Sequence, residues 1–238
     1  MDRRGVHTDS VLAENGLVRE AVLNDSIFVP QIVIHRFLEA AARAANDPHL
    51  AARVGEELDW SEWPPMIDAA SKAKNLVGFL VRFIRAAHSE ASSALHGLEI
   101  GAEYSVFKEK RTTEQEIAPA QNDAFTAAYT LSLLKRAAGP IWDSEQVRLT
   151  LCDIAARPKR YLGVHIMGGD RMGIEVRFPS SWLIEPFNRE TFLRANGNSV
   201  EAVDLPTKFL DALRHVIGSH LHEQELRLGI VATWVGIS

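Results

Sequence analysis

Apolar residues recur at helical spacing through the first third of the chain. Residues 9–24 read as short helical pieces broken at Gly16, and 26–30 as an extended lead-in. From about Pro30 to Ala45, Ile34, Phe37, Leu38, Ala41 and Ala45 fall on one helical face. Asn46-Asp47-Pro48 ends that helix and starts another, with Asp47 as N-cap and Pro48 as first helical residue, running to about Leu58. The stretch Asp59 to Pro65, DWSEWPP, interrupts the pattern, because consecutive prolines forbid regular helix. Ser71 then caps a helix whose buried stripe is Leu76, Leu80, Phe83, Ile84 and Ala87.

The period changes to two between Glu99 and Glu109. Ile100, Ala102, Tyr104 and Val106 alternate with Glu99, Gly101, Glu103, Ser105 and Phe107, which predicts a strand with the first set toward the core. Residues 88–95 and 111–117 read as neighbouring strands. A helix capped by Asn122 follows, burying Ala124, Ala127, Ala128, Leu131, Leu134 and Ala138 and stopping at Gly139-Pro140. Val147, Leu149 and Leu151 predict a strand, and 164–178 a hairpin turning at Gly168-Gly169-Asp170 and closed by Pro179. Pro206 to about Glu225 reads as a helix with Phe209, Leu210, Leu213, Val216, Ile217 and Leu221 on its apolar face. The fold class these elements imply is α+β: a helical N-terminal part, a mainly antiparallel sheet packed with a long helix, then a C-terminal linker helix.

The final residues, 226–238, read LRLGIVATWVGIS. Ala232, Gly236 and Ser238 have the spacing of the first half of a helix-turn-helix: a small residue at a close crossing, a glycine in the turn, a hydroxyl to cap the next helix. A helix stopped by a C′ glycine accounts for Gly236 equally well. On the first reading the chain stops where a recognition helix would begin.

Composition narrows the class. The 238 residues are 46% hydrophobic and 24% charged, typical of a globular protein. A net charge of −5 lacks the basic excess of a nucleic-acid-binding domain. The single cysteine, Cys152, excludes an internal disulfide and argues for a reducing compartment. No apolar run approaches the length of a membrane span, and the N-terminus has no signal-peptide core. A cytoplasmic protein without membrane partners is expected.

The order of several short segments resembles the sensor domain of AraC-type transcription regulators, in the branch that begins with helices rather than a cupin barrel. The segments are Ile27-Phe28-Val29-Pro30 leading into Phe37-Leu38-Glu39-Ala40-Ala41, then Asn46-Asp47-Pro48-His49-Leu50 and Arg53-Val54-Gly55. The helix Leu131-Ser132-Leu133-Leu134-Lys135-Arg136 precedes Gly139, Trp142 and Val147. Tyr161-Leu162-Gly163-Val164 and Phe178-Pro179-Ser180-Ser181-Trp182-Leu183 follow. The resemblance runs from about residue 11 to the end, where Val231 to Ser238 is similar to the close of the family's first DNA-binding helix. It implies a ligand-sensing and dimerising domain over 1–205, a linker helix over 206–225, and the start of a truncated DNA-binding domain over 226–238. It also implies a small-molecule effector, homodimers, and operator DNA as a partner through the missing C-terminal domain. The family label refers to arabinose, but the branch senses varied small molecules.

Candidate chemistry is sparse. His215, His220 and His222 lack the three- or four-residue spacing of helical metal ligands and read as a solvated face. Gly168-Gly169-Asp170 lacks the lysine and helix of a phosphate loop, and Ser180-Ser181 has no nucleophile-elbow context. No cofactor, metal or catalytic residue is predicted. Trp60 and Trp63, beside Glu57, Asp59, Glu62 and Asp68, supply aromatic faces next to carboxylates, a composition suited to an amine or amino-acid effector. The plainer explanation is that the same tryptophans pin a proline-rich crossover on the core. Tyr104 and Tyr129 are further ligand candidates, each placing a hydroxyl near an apolar interior, with plain packing as the alternative. A small hydrolase or transferase, or an interaction scaffold without a ligand, remain the competing classes.

Overall fold

A computed structural model describes residues 8–19, 29–58, 64–90, 94–114, 116–156, 163–189 and 192. The expected linker helix and helix-turn-helix start, and Asp59, Trp60 and Trp63, lie outside the described residues. Helices α1 (Thr8–Glu14), α2 (Gln31–Ala44), α3 (Leu50–Glu56), α4 (Pro64–Lys72) and α5 (Leu76–Glu90) precede strands β1 (Ala94–Ile100) and β2 (Tyr104–Arg111). Helix α6 (Ala120–Ala138) and strands β3 (Arg148–Leu151), β4 (His165–Gly168) and β5 (Gly173–Pro179) complete the α+β fold.

The predicted helical stripes face the core: Ile34, Phe37, Leu38 and Ala41 from α2, and Leu76, Leu80, Phe83 and Ala87 from α5 are buried. The caps differ from expectation. Asn75, rather than Ser71, caps α5, its Oδ1 accepting from the Gly78 N–H at 3.0 Å, while Ser71 lies in the last turn of α4. Asp47 works one turn ahead of α3, which starts at Leu50: its Oδ1 accepts from the His49 N–H and it pairs with Arg53. Asn122 lies inside α6, which starts at Ala120, and the cap there is tertiary: Glu39 Oε1 accepts from the Gln121 N–H at 2.7 Å.

The sheet runs β1-β2-β5-β3-β4, antiparallel except for the parallel β3–β4 pair. Three sequence expectations change here. The strand expected over 99–109 is two strands of a hairpin, turning at 101–103, with Ile100 opposite Ser105. The strand expected over 88–95 starts only at Ala94, since α5 continues to Glu90, and no strand occupies 112–114 or 116–117. The hairpin expected over 164–178 is split: β3 lies between β4 and β5, so neither strand pairs with the other. The loop joining them passes over the end of β3, where the Gly169 N–H donates to the Leu151 carbonyl and Asp170 Oδ1 holds the Met172 N–H. Alternation along β4 and β5 specifies which face is buried, but not which strand is the neighbour.

Helix α6 organises the core. It is buried around most of its circumference, with α2 and α3 on one side and β3 and β5 on the other. Gly55 lets α3 approach it, since a Cβ there would stand 2.5 Å from the Phe125 carbonyl oxygen. At the far end, Gly139 terminates the helix at φ 57°, a conformation cheap only for glycine. Trp182, on the turn after β5, stacks with Phe178 and meets Trp142, centroids 5.6 Å apart, sealing that end of the sheet.

Candidate functional site

Strand β2 carries the run Lys108-Glu109-Lys110-Arg111. Strand geometry sends alternate residues to opposite faces. Lys108 and Lys110 face outward and pair with Glu99 and Glu175, while Phe107, Glu109 and Arg111 turn under α5 and α6. Two acid–base pairs therefore sit inside an otherwise apolar layer.

The first is built on Glu109, whose side chain is 14% exposed. His96, directly opposite on β1, brings Nε2 to 3.1 Å from Oε2. Tyr129, on α6, donates its hydroxyl to the same oxygen at 2.8 Å. One turn earlier on α6, Thr126 donates to Oε1 at 3.4 Å. Burial by itself would raise the Glu109 carboxyl. The His96 hydrogen bond and charge, the Tyr129 hydroxyl and the Arg111 charge outweigh it and hold the group below its ordinary value. Tyr129 is pushed well above its ordinary value by burial and by the Glu109 charge, so it stays a protonated donor.

The second pair is Arg111 with Asp123. Arg111 Nη1 lies 2.6 Å from Asp123 Oδ1, with both side chains buried. Arg111 also donates Nε to the Arg171 carbonyl, and the Cys152 N–H approaches Asp123 Oδ2 at 3.4 Å. Burial raises the Asp123 carboxyl, and the guanidinium offsets this only in part. Burial and Asp123 also push the Cys152 thiol well up, so it remains a thiol and an unreactive strand-end residue.

Beside Tyr129, the side chains of Leu80, Phe83, Phe107, Thr130, Leu133 and Leu134 close around a narrow, largely apolar seam. Its walls stand too close to hold a water molecule. The His96 and Phe83 rings meet nearly perpendicular, at a centroid distance of 5.7 Å. This closed seam meets Tyr129, whose hydroxyl joins the Glu109 group.

The sequence-derived candidates are not gathered in one place. Tyr129 stands in this cluster. Tyr104 does not face the core as its strand phase predicted. It is 39% exposed on the outer sheet face, with the Arg177 guanidinium 3.5 Å above its ring. Its neighbour Ser105 is the inward residue, bonded to Ser180 Oγ at 2.8 Å. Glu57 closes the C-terminus of α3. Sequence reasoning missed His96, Glu109, Arg111, Asp123 and Thr126. The usable signal was the polar stripe Asp123, Thr126, Thr130 at helical spacing through an otherwise apolar helix.

Comparison with known proteins bears on this domain as a whole. The family described as the arabinose-binding domain of AraC transcription regulators, N-terminal, matches residues 5–183. No curated protein matches the chain. Among solved structures, the transcriptional regulator CdpR from Pseudomonas aeruginosa is similar in fold, with a TM-score of 0.51 at 13% identity over 92% of this chain and 75% of that one. The helix-first α+β domain that the segment order implied is thus matched over well over half of the chain, which belongs to the N-terminal, arabinose-binding-domain family of AraC transcription regulators.

Proposed function

We propose that residues 1–205 are an effector-sensing, dimerising domain. A small molecule enters between the helices and the sheet. Residues 206–225 form a linker helix that carries the response to a DNA-binding domain beginning at 226–238. Operator DNA is contacted by that domain, the protein acts in the cytoplasm, and the sensing domain itself performs no catalysis. The observation that carries this reading is the hydrogen-bonded group of Glu109, His96, Tyr129 and Thr126 held between the sheet and α6, beside a closed apolar seam. Apolar side chains of similar volume at such positions are often neutral or stabilising, so stability alone does not call for this group. Family membership supports the regulatory role.

Glu57, Asp59, Trp60, Trp63 and Tyr104 remain proposed ligand contacts alongside Tyr129. Tyr104 lies across the sheet from Tyr129, so it serves a separate outer contact. A ligand shifts the two arrangements of the linker only by its preference for one over the other. Thermal-shift screening of the chain with amines, amino acids, sugars and organic acids tests the reading, because a ligand binding only the folded state must raise the melting temperature. A shift with at least one class is expected; none with any class refutes sensing. Tight, sequence-selective operator binding by this chain alone would refute the division of labour.

A further inference from the structure

We infer that the outer face of the sheet carries a separate anion site, in which Arg177, Arg148 and His165, side by side on β5, β3 and β4, bind the phosphate group of a small phosphate monoester.

The row follows from strand pairing. Arg148 stands directly opposite Arg177 on β5 and directly beside His165 on β4. Residues paired in this way share a face of the sheet. Leu149 and Leu151 take the buried side of β3, and Val176 and Phe178 that of β5, so Arg148 and Arg177 turn away from the helices. Arg148 and His165 are exposed and Arg177 is half-buried. Neighbouring strands lie about 4.8 Å apart, so the three side chains leave the backbone within about 10 Å of one another.

Such a row is unfavourable by itself. Like charges directly opposite each other in a sheet are destabilising, and a chain of net charge −5 has carboxylates to spare for them. The adjacent row on the same face shows the usual arrangement. Lys108 lies 2.8 Å from Glu99 and 3.3 Å from Glu175, and Lys110 reaches Glu175 at 3.9 Å. Among the described residues, the side chains of Arg148, Arg177 and His165 have no carboxylate at ion-pair distance and make no hydrogen bond. Arg177 has one partner, the Tyr104 ring, whose centroid is 3.5 Å from the guanidinium carbon. Stacking occupies a face of the guanidinium and leaves its N–H groups to donate in the plane.

The donor set selects the ligand. Each guanidinium offers five N–H donors in a fixed fork, and a neutral imidazole offers one more. A phosphate monoester has three terminal oxygens and a charge of about −1.5 to −2 at neutral pH, so it can accept from both forks and the imidazole together. A carboxylate, with two coplanar oxygens and one charge, fills a single fork. Val106, directly opposite Arg177 on β2, and Tyr104 border the row with apolar surface on which the organic part of an ester can rest. The row lies across the sheet from α6 and the Glu109 group, so it neither uses nor requires the sensing role proposed above.

The test is isothermal titration of the full chain, at fixed ionic strength, with phenyl phosphate, inorganic phosphate and benzoate. Both phosphates are expected to bind saturably at one site, with phenyl phosphate at least about 10-fold tighter than benzoate. Arg148→Gln and Arg177→Gln should each weaken phosphate binding by about 5- to 10-fold or more, and Arg148→Lys, which keeps the charge and loses the fork, should fall between. Lys110→Gln removes an equal charge from the same face and should leave binding within about twofold. Melting temperatures near wild type establish that the variants are folded. No saturable binding of either phosphate, benzoate binding as tightly as phenyl phosphate, or Lys110→Gln as damaging as Arg148→Gln overturns the inference. A DNA duplex held through these arginines, with neither phosphate bound, overturns it as well. If the phosphates fail while another class of small molecule still raises the melting temperature, this inference falls and the sensing reading stands.

Discussion

Breaking the Arg111–Asp123 pair from one side is expected to be among the most damaging single changes in this domain. Asp123 is fully buried, and Arg111 is 4% exposed at its side chain. Asp123→Ala removes the only carboxylate at hydrogen-bond distance from that guanidinium among the described residues. The remaining cation keeps its bond to the Arg171 carbonyl, which cannot neutralise it. Stranding a buried charge costs about 3–5 kcal/mol, a large share of the ~5–15 kcal/mol that holds a domain folded. At roughly 2–4 °C per kcal/mol for a chain of this size, the melting temperature should fall by about 6–20 °C. Removing both partners is different: Arg111→Met with Asp123→Leu exchanges a desolvated pair for apolar packing, which is often neutral or stabilising. Urea unfolding of wild type, both single variants and the double variant measures the coupling as a cycle. The expected outcome is two damaging single changes and a double variant near wild type, with a coupling of about 2 kcal/mol or more. Single variants costing under about 1 kcal/mol, or costs that simply add, would refute the reasoning.

Three further changes probe the framework. Gly55→Ala drives a methyl against the Phe125 carbonyl and the Ala128 Cβ, so it should cost about 1–3 kcal/mol in urea unfolding; a neutral result would mean that α3 and α6 are not held this close. Asn75→Ala removes the α5 cap and should cost about 1 kcal/mol, while Ser71→Ala, whose hydroxyl bonds only the Asp68 carbonyl within its own helix, should cost less; the reverse order would restore Ser71 as the cap. Glu109, lowered from 4.5 in the fold, contributes stability that is complete above about pH 4.5 and is lost as pH falls through its folded value, whereas Asp123 and Glu39, both raised by burial, act in the opposite sense. The gap in stability between wild type and Glu109→Gln should therefore be widest near neutral pH and shrink on acidification; a gap independent of pH would show that the Glu109 charge is not held by the fold.

Much of the helical layer was legible because helical burial leaves a local record. Ile34, Phe37, Leu38 and Ala41 repeat at the helical period whatever they pack against, and the stop at Gly139-Pro140 is a property of those two residues. The sheet was less legible because pairing is a decision between distant strands. β4 and β5 alternate as hairpin arms would, yet β3 enters between them. The phase of β2 was inverted for a related reason. Ile100, Ala102, Tyr104 and Val106 look like the apolar set, but a turn separates the first two from the last two. Tyr104 is accommodated outside by its cation–π partner Arg177, a residue of β5 that local sequence does not reveal.

The cluster was hidden by the same non-locality, acting on charge. A strand reading Lys-Glu-Lys-Arg looks like a solvated edge, and half of it is. What turns Glu109 and Arg111 inward is the supply of partners 12 to 20 residues away: Asp123, His96, Thr126 and Tyr129. Each inward charge would be prohibitive alone and is tolerable only with its partners in place. The four residues on α6 that approach the sheet, Asp123, Thr126, Tyr129 and Thr130, lie along one side of the helix, so a single placement of α6 satisfies both pairs together. Rotating or sliding it by one residue would strand both. The polar cluster therefore fixes the register of the central helix against the sheet more sharply than Leu, Ala and Phe contacts do, since apolar surfaces tolerate small slips and paired charges do not.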